Sequence, residues 1–190
     1  MMSSNKREDI LEAALSLFAE RGFDGTTVPA IAEQAKVGAG TIYRYFENKE
    51  VLVNSLFQEC IQLLSGKLLA NGPAADTPIR EWFQHIFVQM SRFANEHDKA
   101  LAFIDSHSGS RYLDASSRKM FDEFLGILRH MLDEGKRQGI LCPLPSDALI
   151  SIVYGALVRL SRTIKLGVVE ESPELWARIE ECCWNAIRVH

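Results

Sequence analysis

Apolar residues recur along this chain at three- and four-residue spacing, and no convincing run alternates polar with apolar. A half-buried strand needs a period of two, whereas a surface helix needs one near 3.6. The pattern therefore predicts an all-α fold of about nine helices. Prolines and glycines punctuate it. A first block covers 6–21, with Ile10, Ala14, Leu17 and Phe18 on one stripe and Leu11 and Leu15 widening it. Gly22 suits a left-handed cap behind it. Short blocks follow over 28–36 and 39–46; Thr27 suits the N-cap of the first of these and Pro29 its opening turn. Asn48 is placed to cap a long block over 49–70. Gly72, Pro73 and Pro78 make 71–78 a linker. Further blocks cover 79–96, 99–106, 116–138, 146–165 and 173–188, with a loop-like HSGSRY stretch over 107–112. The apolar run 150–153 would suit a strand, but it lies inside a longer helical pattern.

Composition narrows the function classes. A chain of 190 residues, 47% of them hydrophobic, can bury a core without disulfide or metal staples. Its formal net charge is −4, so nucleic acid would have to be held by a local basic patch. The longest apolar run, 149–158, is too short to span a bilayer, and the polar start lacks a signal-peptide core. Cys60, Cys142, Cys182 and Cys183 show no CxxC spacing, and the adjacent pair has poor disulfide geometry. A reduced, cytoplasmic protein with no membrane partner is the expectation.

The informative stretch is 25–52, GTTVPAIAEQAKVGAGTIYRYFENKEVL. It reads as a short helix, a tight turn at Lys36-Val37-Gly38, and a second short helix. Val37 is the lone apolar residue of the turn, placed to plug the angle, and Ala32 and Ala35 let the helices cross closely. This is helix-turn-helix patterning, in which the second helix enters the DNA major groove. Gly38 and Gly40 leave the start of that helix without bulk, so its N–H groups can approach a phosphate. Thr41 offers a hydroxyl, Tyr43 and Tyr45 offer phenols, and Arg44 offers a guanidinium that can fork onto guanine. Lys36 and Lys49 are backbone-phosphate candidates.

At these residues the sequence resembles the TetR family of bacterial transcriptional repressors. The shared string is Ile10…Ala13-Ala14…Leu17-Phe18…Gly22-Phe23, then Thr26-Thr27, Ile31-Ala32, Gly40-Thr41-Ile42-Tyr43…Phe46…Lys49-Glu50…Leu52. Lys36 stands where the family usually has a turn glycine, and Gly38 replaces a common serine cap. Carried over by position, the resemblance implies DNA contacts at Thr27, Thr41, Tyr43, Tyr45 and Lys49, with Arg44 at a variable, preference-setting position. It also implies a DNA-binding domain over 1–50, a connecting helix over 49–70, and a ligand-binding and dimerisation domain over 51–190. The expected function is a ligand-responsive regulator, a repressor released from a double-stranded operator by a small molecule.

Candidate effector-pocket residues are Trp82, His85, Phe103, His107, Tyr112, Phe124, Tyr154 and Arg159, which mix apolar walls with a few polar anchors. His107 and Arg159 are the favoured anchors. A homodimer would use Ala148, Ser151, Ile152, Gly155 and Arg159 from one helix and Trp176, Ile179, Cys183 and Ile187 from the next. The long 49–70 helix is the expected two-state element. An alternative is a helical small-molecule-binding protein whose N-terminal unit docks protein rather than DNA. His85, His97, His107 and Asp105 are too widely spaced for a metal site, and Ser106-His107-Ser108 lacks a nucleophile elbow. No catalytic constellation and no cofactor are assigned.

Overall fold

A computed structural model describes residues 6–70, 72 and 77–190. The expected linker at 71–78 lies mostly outside them, at 71 and 73–76. The described residues form nine helices: α1 Lys6–Arg21, α2 Val28–Gln34, α3 Ala39–Tyr45, α4 Lys49–Leu69, α5 Ile79–Glu96, α6 Asp98–His107, α7 Ala115–Arg137, α8 Ser146–Lys165 and α9 Pro173–Ile187. Helix α2 stops two residues earlier than its periodicity predicts, because the chain turns left-handed at Lys36 (φ 54°). Helix α6 takes in His107, which the sequence assigns to the following loop; its Nδ1 lies 2.9 Å from the carbonyl of Phe103, one turn back. The strand-type pairing among the described residues is an isolated antiparallel bridge, Leu141 with Arg188.

The described chain forms two compact units. One gathers α1–α3, α4 as far as residue 63, and 97–122; the other gathers 64–96 and 123–190. Both α4 and α7 contribute to each.

In the first unit α1 supplies the central stripe. Ile10, Leu11, Ala13, Ala14, Leu17 and Phe18 are all buried, against α2, α3 and α6. Gly22 closes α1 with φ +69° and returns its N–H to Phe18 at 2.9 Å, the expected cap. The buried Thr26 hydroxyl lies within 3.1 Å of the Leu17 and 2.8 Å of the Gly22 carbonyls, sharing its proton between helix-end acceptors. In the second unit α5, α8 and α9 pack together, with Phe83 against Trp184 at 5.3 Å and Phe87 against Trp176 at 6.3 Å. Arg80 grips the buried Glu180 with both terminal nitrogens, at 2.5 and 2.8 Å, and reaches Glu181 at 2.9 Å.

This packing corrects the α9 face assigned from the sequence. Cys183 and Ile187 are buried within the single chain, and Trp176 packs on Phe87, so that stripe is core. The outward face of α9 carries Ala177, Arg178, Glu181 and Cys182 instead. On α8, by contrast, Ser151, Ile152, Gly155 and Arg159 are exposed and Ala148 is half-buried.

Candidate nucleic-acid interface

The geometry starts from the α2 cap. Thr27 is extended (φ −113°, ψ 150°) and its hydroxyl accepts from the Ala30 N–H at 3.3 Å, with Pro29 in the first turn. The α2 C-terminus hands the chain to Lys36, and the Val37 N–H returns to the Ala32 carbonyl at 2.9 Å. This closes a tight turn and leaves Val37 half-buried in the angle. Ile42 on α3 and Phe46 behind it are buried, so one side of α3 is fixed to the body.

The other side faces water. Tyr43 is 55% and Tyr45 45% exposed, with Arg44 exposed between them. Folding gives no reason to place two phenols and a guanidinium outward on a seven-residue helix. The glycines add to this. A Cβ at Gly40 would meet nothing within 4 Å, and one at Gly38 only the Thr41 hydroxyl at 4.0 Å. The chain itself does not need their smallness, and the first turn of α3 is open to solvent.

Lys49 is placed less simply than the sequence implies. It opens α4 beside Asn48, whose Oδ1 caps the helix by accepting from the Val51 N–H at 2.8 Å. The Lys49 ammonium donates to the carbonyls of Phe23 at 2.9 Å and Thr26 at 3.0 Å, and lies 3.9 Å from the centre of the Phe23 ring. It therefore pins the α1–α2 connection, directly before Thr27, while its side chain stays half-exposed. Lysine–carbonyl clamps leave no mark in hydrophobic periodicity, which is why sequence reasoning sees only the charge.

The eight pocket candidates divide between the units. Phe103, His107 and Tyr112 come together in the first: the His107 ring lies 4.3 Å from Phe103, 5.9 Å from Tyr112 and 6.1 Å from Phe18. His107 is 1% exposed; its Nε2 has no hydrogen-bond partner, and burial holds its pKa below the usual histidine value. Trp82, His85, Phe124, Tyr154 and Arg159 belong to the second unit. His85 Nε2 is engaged with the Leu68 carbonyl at 3.0 Å, Phe124 is buried, and Trp82 and Tyr154 are half-buried. Arg159 is exposed on the outward face of α8, a position that suits a surface contact better than a pocket wall.

Among the described residues no three His, Cys, Asp or Glu side chains are grouped to hold a metal ion, and no helix is long and apolar enough to cross a membrane. Burial pushes the Cys60 thiol up to about 12 and Cys183 to about 11, while Cys182 is exposed.

A helix-turn-helix whose second helix buries one side and offers phenols and guanidinium on the other defines a DNA-binding regulator. Two family models match consecutively: "Bacterial regulatory proteins, tetR family" over 10–56 and "Tetracyclin repressor-like, C-terminal domain" over 57–189. The chain belongs to the TetR family and is a ligand-responsive DNA-binding transcriptional regulator. It is 28% identical over 172 residues to the Fatty acid metabolism regulator protein of Bacillus subtilis, covering 90% of this chain and 83% of that one. Among solved structures it is similar to the transcriptional regulator FadR from Bacillus subtilis in complex with stearoyl-CoA (25% identity, TM-score 0.67, 96% of this chain and 99% of that one). A TetR-family regulator from Marinobacter aquaeolei shares its fold at TM-score 0.87 and 22% identity, over 97% of this chain and 96% of that one.

Proposed function

We propose that the protein is a repressor that holds a two-fold operator as a homodimer and is released by an effector carrying a long acyl chain, of the fatty acyl-CoA class. The observation that carries the DNA half is the outward display of Tyr43, Arg44 and Tyr45 on α3, whose opposite face is locked by Ile42 and Phe46. In this reading Arg44 reads a base edge. Thr27, Lys36, Gly38, Gly40, Thr41 and Lys49 hold phosphates, and the tyrosines fix the helix in the groove. One short helix buries too little surface to bind specifically alone, so two copies present two recognition helices to half-sites about 34–36 Å apart. The exposed α8 face with Ser151, Ile152 and Gly155 is the surface on which they meet. The acyl class is suggested by the two Bacillus subtilis relatives, one a fatty acid metabolism regulator and one a FadR structure holding stearoyl-CoA. Phe103, His107 and Tyr112, which meet in the first unit, are the residues that the effector reaches.

The test is selection of an operator from a random duplex pool, followed by titration of the complex with stearoyl-CoA. Arg44→Ala is expected to relax preference at one operator position by about 1–3 kcal/mol. Lys49→Ala is expected to weaken every duplex and lower the salt slope by about one unit. Selection that enriches no sequence overturns the DNA reading. An operator affinity unmoved by saturating stearoyl-CoA overturns the acyl reading alone.

A further inference from the structure

We propose that Tyr112, far from the helix-turn-helix in sequence, is a positioning residue for the Lys49 cation, acting through Phe23. The conformation of the α6–α7 connection then sets how firmly the reading head holds a phosphate. The inference rests on Lys49 being a phosphate anchor, as proposed above.

The observations form a closed circuit inside the first unit. Lys49 donates to two carbonyls of the α1–α2 connection and covers the Phe23 ring. Tyr112 is stacked closely on that ring, at 4.1 Å with 19° between the planes, and Phe18 of α1 lies parallel to it farther off, at 6.1 Å and 12°. The backbone beside Tyr112 is fastened to α4 by the buried Asn54. Its Nδ2 donates to the Tyr112 carbonyl at 2.9 Å and its Oδ1 accepts from the Asp114 N–H at 2.8 Å. A further Nδ2 bond to the Glu50 carbonyl at 2.8 Å fixes the Asn54 side chain on its own helix. The path thus leaves α4 at Lys49, passes through Phe23 and Tyr112, and returns to α4 at Asn54. On its far side Tyr112 meets the edge of His107 at the end of α6.

Such a circuit transmits position because no member can give way alone. An ammonium held on two carbonyls and a ring face has a defined place, and a cation with a defined place loses less freedom on meeting a phosphate. If the Tyr112 ring moves, Phe23 loses its nearer stacking partner and keeps only the more distant Phe18, the carbonyls that aim Lys49 relax, and Thr27, next in the chain, relaxes with them. A plain packing role for Tyr112 would affect stability but would not single out one cation.

The experiment uses the full-length protein and a labelled random-sequence duplex, with binding followed by fluorescence anisotropy over a salt series. Wild type, Lys49→Ala, Tyr112→Leu, Tyr112→Phe and the double variant Lys49→Ala with Tyr112→Leu are compared, and thermal melting checks each fold. Tyr112→Leu is expected to lower affinity about three- to tenfold at low salt and reduce the salt slope by about one unit. It should add nothing on the Lys49→Ala background, and Tyr112→Phe, which keeps the stack, should behave as wild type. Acetylation of Lys49 followed by mass spectrometry gives a readout without DNA: Tyr112→Leu should raise its reactivity. If Tyr112→Leu does not fold, Tyr112→Met, which keeps bulk but has no flat ring, takes its place. Additive losses in the double variant, or a folded Tyr112→Leu protein with wild-type affinity and slope, would overturn the inference alone. A wild-type slope in Lys49→Ala would overturn the phosphate-anchor reading, and the inference with it.

Discussion

Lys36 and His107 each sit in a state their side chains do not prefer. Lys36 is the non-glycine residue with positive φ among those described, at 54°, and an L side chain there costs on the order of 1 kcal/mol. Lys36→Gly should relieve that strain and raise unfolding free energy by up to about 1 kcal/mol in denaturant melts, less what glycine adds to the freedom of the unfolded chain. The same change should lower the salt slope of DNA binding by about one unit if the exposed lysine meets a phosphate. Opposite signs on stability and binding would identify a residue kept for its ligand. His107 is buried and held neutral, so its folded pKa lies below the unfolded value of 6.5. The unfolded chain then binds more protons between the folded pKa and 6.5. Its contribution to stability is therefore full above 6.5 and is lost as pH falls below it, down through the folded pKa. Melting temperature should drop on acidification below that point, and His107→Gln should flatten that part of the profile; an unchanged profile would show that other groups cause the loss.

At the scale of elements, the helices were largely legible. Periodicity placed α1, α5 and α8 at the ends the structure gives them, and the others within about two residues. The caps at Gly22, Thr27 and Asn48 follow from residue type alone, because each supplies the backbone freedom or acceptor that a helix end lacks. The outward face of α9 was not legible. Trp176, Ile179, Cys183 and Ile187 do share one face, but an apolar face says only that something covers it. Phe87 packs on Trp176, and Cys183 and Ile187 are buried within the single chain. Glu180 shows the same limit: a carboxylate on a helix reads as surface, yet it is 5% exposed beneath Arg80. Arg80→Met should cost about 1–3 kcal/mol. This is less than the ~3–5 kcal/mol of breaking a fully buried pair, because Arg80 is a third exposed and water screens it. Chemical denaturation would measure this, and a loss below ~0.5 kcal/mol would mean that water reaches Glu180 readily.

For the whole molecule, the sharpest prediction concerns assembly. A Cβ at Gly155 would meet nothing within 4 Å in the single chain, so Gly155→Leu should fold normally. If two copies meet on the α8 face, the variant should dissociate in sedimentation and lose operator affinity together; a dimeric Gly155→Leu protein would place the interface elsewhere. The linear order of residues by itself determined the helical class, the helix ends, the helix-turn-helix string and the family it resembles. These depend on interactions within a few residues, such as caps, turns and one-sided apolar stripes. Tertiary structure alone decided that 97–122 packs with the N-terminal helices, and that Lys49 spends two donors on the α1–α2 connection. It also decided that Tyr112 stacks on Phe23 and that Cys183 and Ile187 face inward. The physical reason is common to all four. Periodicity records which side of a helix leaves water, but the partner that covers it is chosen by packing between segments far apart in the chain, and burial carries no address.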